Sequence, residues 1–254
     1  MGSSLSALTF HTLQDQTSVI SFPPALFRRG MARLHESGFR TLSLLEVADH
    51  LRRGVPFLER SFVITFDDGY RSVYTEAFPI LQRYGMSATV FLTVGESPHH
   101  ATERMPSLGG SPMLSWNEIR EMYHWEIAFG AHTLTHSDLT HLPAERLNAE
   151  VCGSKAIIED ALGAPVTTFA YPYGRHDQQS REIVGQHFAC ACTDKLGLIT
   201  SASDLHALER VDAYYLRTDR LFNLMLSEFF PWYVRTRSVP RRIRRAMRRQ
   251  LGAT

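Results

Sequence analysis

Cysteine is scarce in this chain. The three present, Cys152, Cys190 and Cys192, form no CxxC pair and no metal-ligand framework, and an odd count suits a reducing compartment. No run of about 18 apolar residues occurs, which argues against a membrane-spanning helix. The first residues, MGSSLSALTFHTL, lack a basic segment followed by an apolar one. No signal peptide is therefore expected, and the expected location is cytoplasmic. Internal repeats and low-complexity linkers are also missing. Acidic residues stop at Glu228, and the rest of the chain is strongly basic: Arg235, Arg237, Arg241, Arg242, Arg244, Arg245, Arg248 and Arg249. The net charge of +1 therefore conceals a segregation, because without those arginines 19 basic residues face 26 acidic ones.

The remaining composition is that of an ordinary globular protein, 44% hydrophobic and 21% charged, over 254 residues, enough for one large core. Strand-like and helix-like stretches alternate. LSALTFHTL has strand character, and a helix comes after Pro23 and Pro24 with Leu26, Phe27, Met31 and Leu34 on one stripe. Further helices are predicted over about 44–53 and 72–84, ended by Gly54 and Gly85. SATVFLT, IAFGAH, VTTFAYPYG, FACACTD and HALERVDAY read as later strands. Between them Ser115 and Glu118 form a capping box before WNEIREMYH, and Pro143 opens a helix to about Leu162. The stretch 95–112 reads as a long surface loop. Repeated β–α units imply a mainly parallel sheet, closed or open, with catalytic groups at the C-terminal strand ends. Asp67, Asp68, His132, Tyr173 and Asp194 all fall at such ends.

The organising stretch is SFVITFDDGY, from Ser61 to Tyr70. A short buried strand runs into two adjacent carboxylates and then Gly69, which permits a tight turn. Two acids at a buried strand end repel each other and lose hydration, so they need a compensating charge. A bound metal ion would serve, with one acid ligating and the other left as a base; Asp-Asp-Gly is also an ordinary turn. His132 and His136, four residues apart in HTLTH, can aim two imidazoles at one ion, with a carboxylate as third ligand. Such a set leaves open positions for water and substrate.

In TFDDG (Thr65 to Gly69), HTLTH (His132 to His136) and YPYG (Tyr171 to Gly174), the sequence resembles the polysaccharide deacetylases, the NodB-homology carbohydrate esterases. The resemblance spans roughly Leu8 to Asp212 and implies a distorted (β/α) barrel that removes an N- or O-acetyl group from a sugar. By the match, Asp67 is the general base, and Asp68, His132 and His136 hold a divalent metal, usually Zn2+. Two features depart from the family pattern. Its third motif usually begins with an arginine that orients the base; here that position is Ala170, with Arg210 or Arg175 as replacements or as plain surface salt bridges. The usual C-terminal Leu-x-x-His is also missing. His11, in the N-terminal TFHTL, is similar to the acid of the circularly permuted branch, with Phe10 in place of its usual tyrosine. The mechanism then implied has Asp67 deprotonating water, a backbone N–H near Tyr173 and Pro172 holding the oxyanion, and His11 protonating the departing amine.

Trp116 and Tyr171 are read either as sugar-stacking platforms or as core, Asp194 as an electrostatic tuner, and His141 as a neighbour of the histidine motif. Residues 1–228 are expected to form the catalytic domain and residues 229–254 an aromatic and basic tail. FFPWYV with the arginines after it either rests on an anionic membrane face, with Trp232 and Tyr233 at headgroup depth, or is simply solvated. Nucleic-acid binding is not expected from an acidic body. The expected substrate is an acetylated saccharide or lipid-linked sugar; a deacylase or deformylase of another amide and a silent carbohydrate-binding protein are the alternatives. No oligomeric state is legible in the sequence.

Overall fold

A computed structural model of the chain describes residues 4–95 and 111–238. Strand β1 (Ser6–Phe10) is followed by the short pair β2 (Thr12–Leu13) and β3 (Ser21–Phe22), then α1 (Pro24–Glu36), β4 (Arg40–Thr41) and α2 (Leu44–Arg53). Next come β5 (Ser61–Phe66), α3 (Phe78–Tyr84), β6 (Ala88–Leu92), α4 (Trp116–His124), β7 (Ile127–Ala131) and α5 (Ala144–Leu162). β8 (Thr168–Ala170), α6 (Gln178–His187), β9 (Cys190–Leu196) and β10 (Leu208–Asp212) complete the repeating units.

Seven parallel strands close into a ring in the order β1-β10-β9-β8-β7-β6-β5, with β5 returning to β1 along the register Ser6↔Phe62 to Phe10↔Phe66. This is the expected distorted (β/α) barrel. One distortion is visible in the pairing of β5, whose first half bonds to β4 (Arg40↔Ser61) and whose last residues bond to β6 (Phe66↔Val90). Another is the register shift between β9 and β10 beside Arg210. The first strand in the chain thus sits between the last strand and β5, and it delivers His11 to the end of β5 that carries Asp67 and Asp68.

Alternate strand residues fall into two packed sets. Leu8, Phe10, Ile64, Phe66, Val90 and Leu92 meet the helices, where Phe10 lies edge-on to Phe22 and Phe27 at 5.1 and 5.2 Å. Ala7, Val63, Phe91, Ala170, Cys192 and Leu208 form the other set, inside the ring. All six residues of β5 are buried, as a parallel strand covered on both faces requires.

The capping box at Ser115 and the left-handed Gly54 that ends α2 match the sequence signals, and a second capping box, Ser43 with Glu46, opens α2. The helix predicted over 72–84 begins instead as a π turn, Val73–Ala77, in which the Phe78 N–H reaches the Val73 carbonyl. Pro79 has no N–H to continue the α ladder, which accounts for the wider turn. Most of the surface loop expected over 95–112 lies outside the described residues. A C-terminal helix, 230–238, is an element the sequence patterning did not mark. It turns Phe230, Tyr233 and Val234 into the core, so the start of the expected tail packs on the barrel. No helix among the described residues is long and apolar enough to cross a membrane.

Candidate metal centre and catalytic cleft

The C-terminal strand ends surround a cleft of about 290 Å³ whose lining includes His11, Asp67, Asp68, His132, His136 and Tyr173. Asp68, His132 and His136 come together as the family resemblance implied. Their ligand atoms all lie within 4.8 Å of one another, with Asp68 Oδ1 3.3 Å from His136 Nε2 and 3.5 Å from His132 Nε2. Among the described residues Asp68 Oδ1 has no hydrogen-bond partner although it is buried, a cost that a cation would remove.

The histidines are prepared as ligands. His132 Nδ1 lies 2.7 Å from the Ala170 carbonyl, and the N–H it donates there leaves Nε2 with its lone pair facing Asp68. For His136, burial and the neighbouring His132 push the pKa down to about 4, so the ring is neutral at pH 7. Three cleft residues other than glycine hold left-handed backbone: Asp68 (φ 73°), His136 (φ 58°) and Tyr173 (φ 56°). Such strain collects where a fold aims side chains at one point. The donor set therefore fits a divalent metal: two imidazole nitrogens and a carboxylate leave positions for water and substrate.

Asp67 is set apart from the ligand group. Its two oxygens receive Arg210 Nη1 and Nη2, each at 2.7 Å, and both residues are almost fully buried. The Arg210 Nε–H donates to the Thr193 carbonyl at 2.9 Å and Nη1 reaches Thr65 Oγ1 at 3.2 Å, so the guanidinium is held from β9 and from β5 and its end. Burial alone would push the Asp67 carboxyl up, but Arg210, His132 and His11 outweigh it and hold it far below the usual carboxylate range. His11 Nε2 stands 3.9 Å from Asp67 Oδ2, on a partly exposed side chain at the cleft mouth.

Arg210 thus pairs with Asp67, the carboxylate that Ala170 leaves without the motif arginine. The surface salt bridge considered for both arginines holds for Arg175, which pairs with Asp138 at 2.6 Å on a half-exposed side chain. It does not hold for Arg210, whose strand neighbours carry it into the barrel. The sequence did contain a signal, since Arg210 shares a β10 face with the buried Leu208.

The third motif forms the turn Pro172–Gly174. Gly174 is packed so closely on Asp194 that a Cβ there would collide with its carboxylate and backbone. Tyr173 leaves a large exposed ring edge-on to His136 at 4.7 Å, making one wall of the cleft. Pro172 is buried beneath it. Tyr171 is 1% exposed, packed on Phe169 and His176, and offers no open face to a sugar. Tyr171 only lines the floor of the cleft, and Trp116 does not line it at all. That tryptophan is 1% exposed and belongs to the core stripe Trp116, Ile119 and Met122 of α4. Asp194 lines the cleft, while His141 is exposed and pairs with Asp138.

A family model described as polysaccharide deacetylase matches residues 54–188. Bacillus subtilis (strain 168) YxkH is 28% identical over 211 residues, covering 82% of this chain and 70% of that protein. The poly-beta-1,6-N-acetyl-D-glucosamine N-deacetylase of Staphylococcus aureus (strain MSSA476) is 30% identical over 149 residues, covering 55% of this chain but only 48% of that protein. Among solved structures, the Streptococcus pyogenes deacetylase PplD in complex with acetate superposes with a TM-score of 0.74 at 24% identity, covering 84% of this chain and 93% of that one. IcaB from Ammonifex degensii does so with a TM-score of 0.72 at 24% identity, covering 88% and 96%. With the family model spanning more than half its length and the motif residues gathered around one cleft, the chain belongs to the polysaccharide deacetylase family.

Proposed function

We propose that this protein is a metal-dependent hydrolase that removes the acetyl group from an N-acetylated hexosamine within a saccharide or lipid-linked sugar. The observation that carries this reading is the convergence of a clamped carboxylate, a three-ligand set and an N-terminal histidine on one cleft. A divalent cation bound by Asp68, His132 and His136 would supply Lewis acidity for the acetyl carbonyl and the attacking water, and two nitrogens with one oxygen suit zinc.

The chain's own residues supply the proton transfers. Asp67, kept ionised and oriented by Arg210, takes a proton from the water as the new C–O bond forms. His11 donates its proton to the amide nitrogen as the C–N bond breaks, giving acetate and a free amine. In the third-motif turn the amides of Gly174 and Arg175 close onto the Tyr171 and Pro172 carbonyls, at 2.8 and 3.1 Å. The Tyr173 amide is the one we assign to the developing oxyanion, a contribution of about 3 kcal/mol in comparable sites. The case for a silent carbohydrate-binding protein rests on Ala170 and the absent C-terminal histidine; Arg210 and His11 supply those functions here, which supports catalysis. Acetate release from β-1,6-linked N-acetylglucosamine oligomers and from lipid-linked N-acetyl sugars tests the reading, with Asp67→Asn as the blank. No acetate above that blank from any acetylated saccharide would overturn it.

The location proposed with this function is cytoplasmic, at the inner membrane face. Phe229 is 72% exposed and Trp232 67% exposed, next to the exposed Arg235 and Arg237. Aromatics beside arginines suit an anionic headgroup layer. Tyr233, expected beside Trp232 at headgroup depth, is instead buried and donates its hydroxyl to the Tyr215 carbonyl at 2.6 Å. The arginines from 241 to 249 lie outside the described residues. Flotation of the whole chain with phosphatidylglycerol vesicles should fall several-fold in a Phe229→Ser, Trp232→Ser double variant; equal flotation of both proteins would refute the contact.

A further inference from the structure

We infer that Glu150, on α5 and outside the cleft, is the positioning residue that sets the second histidine ligand. This rests on the metal-site reading above. The loop from His132 to His136 is short and strained: Thr133 (φ 69°) and His136 (φ 58°) both hold left-handed backbone. For side chains with a Cβ that conformation is strained, so the loop needs an external hold.

Glu150 provides it. The residue is fully buried, and Oε2 accepts the backbone N–H groups of Leu134 and Thr135 at 2.8 and 2.9 Å. Oε1 accepts the Thr135 hydroxyl at 2.6 Å. One carboxylate therefore ties down both residues between the strained Thr133 and His136. The remaining links are short as well. Thr133 Oγ1 accepts the His136 N–H at 3.0 Å, and the Leu134 carbonyl accepts the Gly95 N–H at 2.7 Å.

The helix is also close enough to act as a rigid post. Gly153, one turn from Glu150 on the same face of α5, faces Leu134, and a Cβ there would stand 3.1 Å from the Leu134 side chain. Arg146 Nη2 lies 3.5 Å from Glu150 Oε1 and offsets part of the buried charge. Charge-assisted bonds to two amides are directional, so they fix the loop's rotation as well as its distance from the helix. Rotation is what aims the His136 imidazole at Asp68. His132 does not depend on this post, because it leaves β7 directly and its own ring is held by the Ala170 carbonyl.

The test is zinc affinity, measured by chelator competition on the full chain, in Glu150→Ala, Glu150→Asp and Glu150→Gln. Shortening to Asp keeps charge and burial but withdraws the oxygens from both amides. Gln keeps length and one acceptor, and the Thr135 hydroxyl can turn to receive its NH2. The expected result is a loss of about 10–100-fold in zinc affinity for Ala and Asp, with Gln within several-fold of the parent, as found when outer partners of metal ligands are changed. Should Ala not fold, Asp against Gln carries the same comparison. A purely structural Glu150 would lower thermal stability in all three while leaving the zinc affinity of the folded protein alone. Parental zinc affinity in Asp would overturn the inference, and a parent protein that binds no zinc would overturn the metal-site reading itself.

Discussion

Replacing Arg210 by Met separates the chemical role of Asp67 from the clamp that holds it. In the native protein two 2.7 Å bonds join groups that are both nearly fully buried. Met preserves much of the apolar volume and removes the charge, leaving a carboxylate with no cation inside the barrel. Breaking a buried pair by removing one partner costs about 3–5 kcal/mol, of which the stranded charge is the main part. The pH dependence is the sharper prediction. The native Asp67 pKa is depressed, so its stabilising contribution is complete above the unfolded carboxyl range of about 4 and fades as pH falls below that. In the variant burial is opposed only by His132 and His11, the folded pKa rises, and stability relative to the parent is lost as pH rises. The gap between parent and variant should therefore be widest near neutrality and narrow toward pH 5. Urea unfolding of both proteins in excess chelator, from pH 5 to 8, measures this without a bound cation. A gap that stays constant across that range would refute the idea that Arg210 serves to keep Asp67 ionised.

The same geometry sets three further outcomes. Asp67→Asn should retain bound metal and lose turnover by about 10²–10⁴-fold, the usual share of a general base; steady-state acetate release with metal analysis checks both halves. His11→Ala should also keep its metal and slow the reaction by a similar factor, since no imidazole remains to protonate the leaving amine; metal analysis beside acetate release checks both. Arg210→Met in the metal-loaded enzyme should cost about 10²-fold in kcat through misplacement of the base, with KM little changed.

The sequence exposed those parts of the site that travel as contiguous words. TFDDG, HTLTH and YPYG each mark a strand end, and a strand end fixes both the location and the direction of its side chains. The alternating β–α units were legible because buried strands and amphipathic helices follow one another with clear caps, whereas closure into a barrel was implied by the family resemblance rather than by the pattern. The features that escaped were long-range. Arg210, named beside Arg175 as a replacement, lies 143 positions from Asp67, so its partner could not be read locally. The nearer clue was its shared face with Leu208. Glu150 sits within the apolar stripe Leu147, Val151 and Ile158 of α5, where an acid must have a buried partner. Trp116 misled in the opposite direction: an aromatic just after a loop resembles a platform, but its spacing to Ile119 and Met122 already made it core. The short β2–β3 pair and β4 have two residues each, below the length at which alternation can be read.

The most direct measurement of the central claim is the metal content of the purified protein beside single alanine variants of Asp68, His132 and His136. The account predicts about one tightly held divalent ion per chain, consistent with a single three-ligand set. That ion should be lost from each of the three variants and kept in Asp67→Asn and His11→Ala. An ion that persists when both His132 and His136 are removed, or a parent that holds none when zinc is supplied, would contradict it.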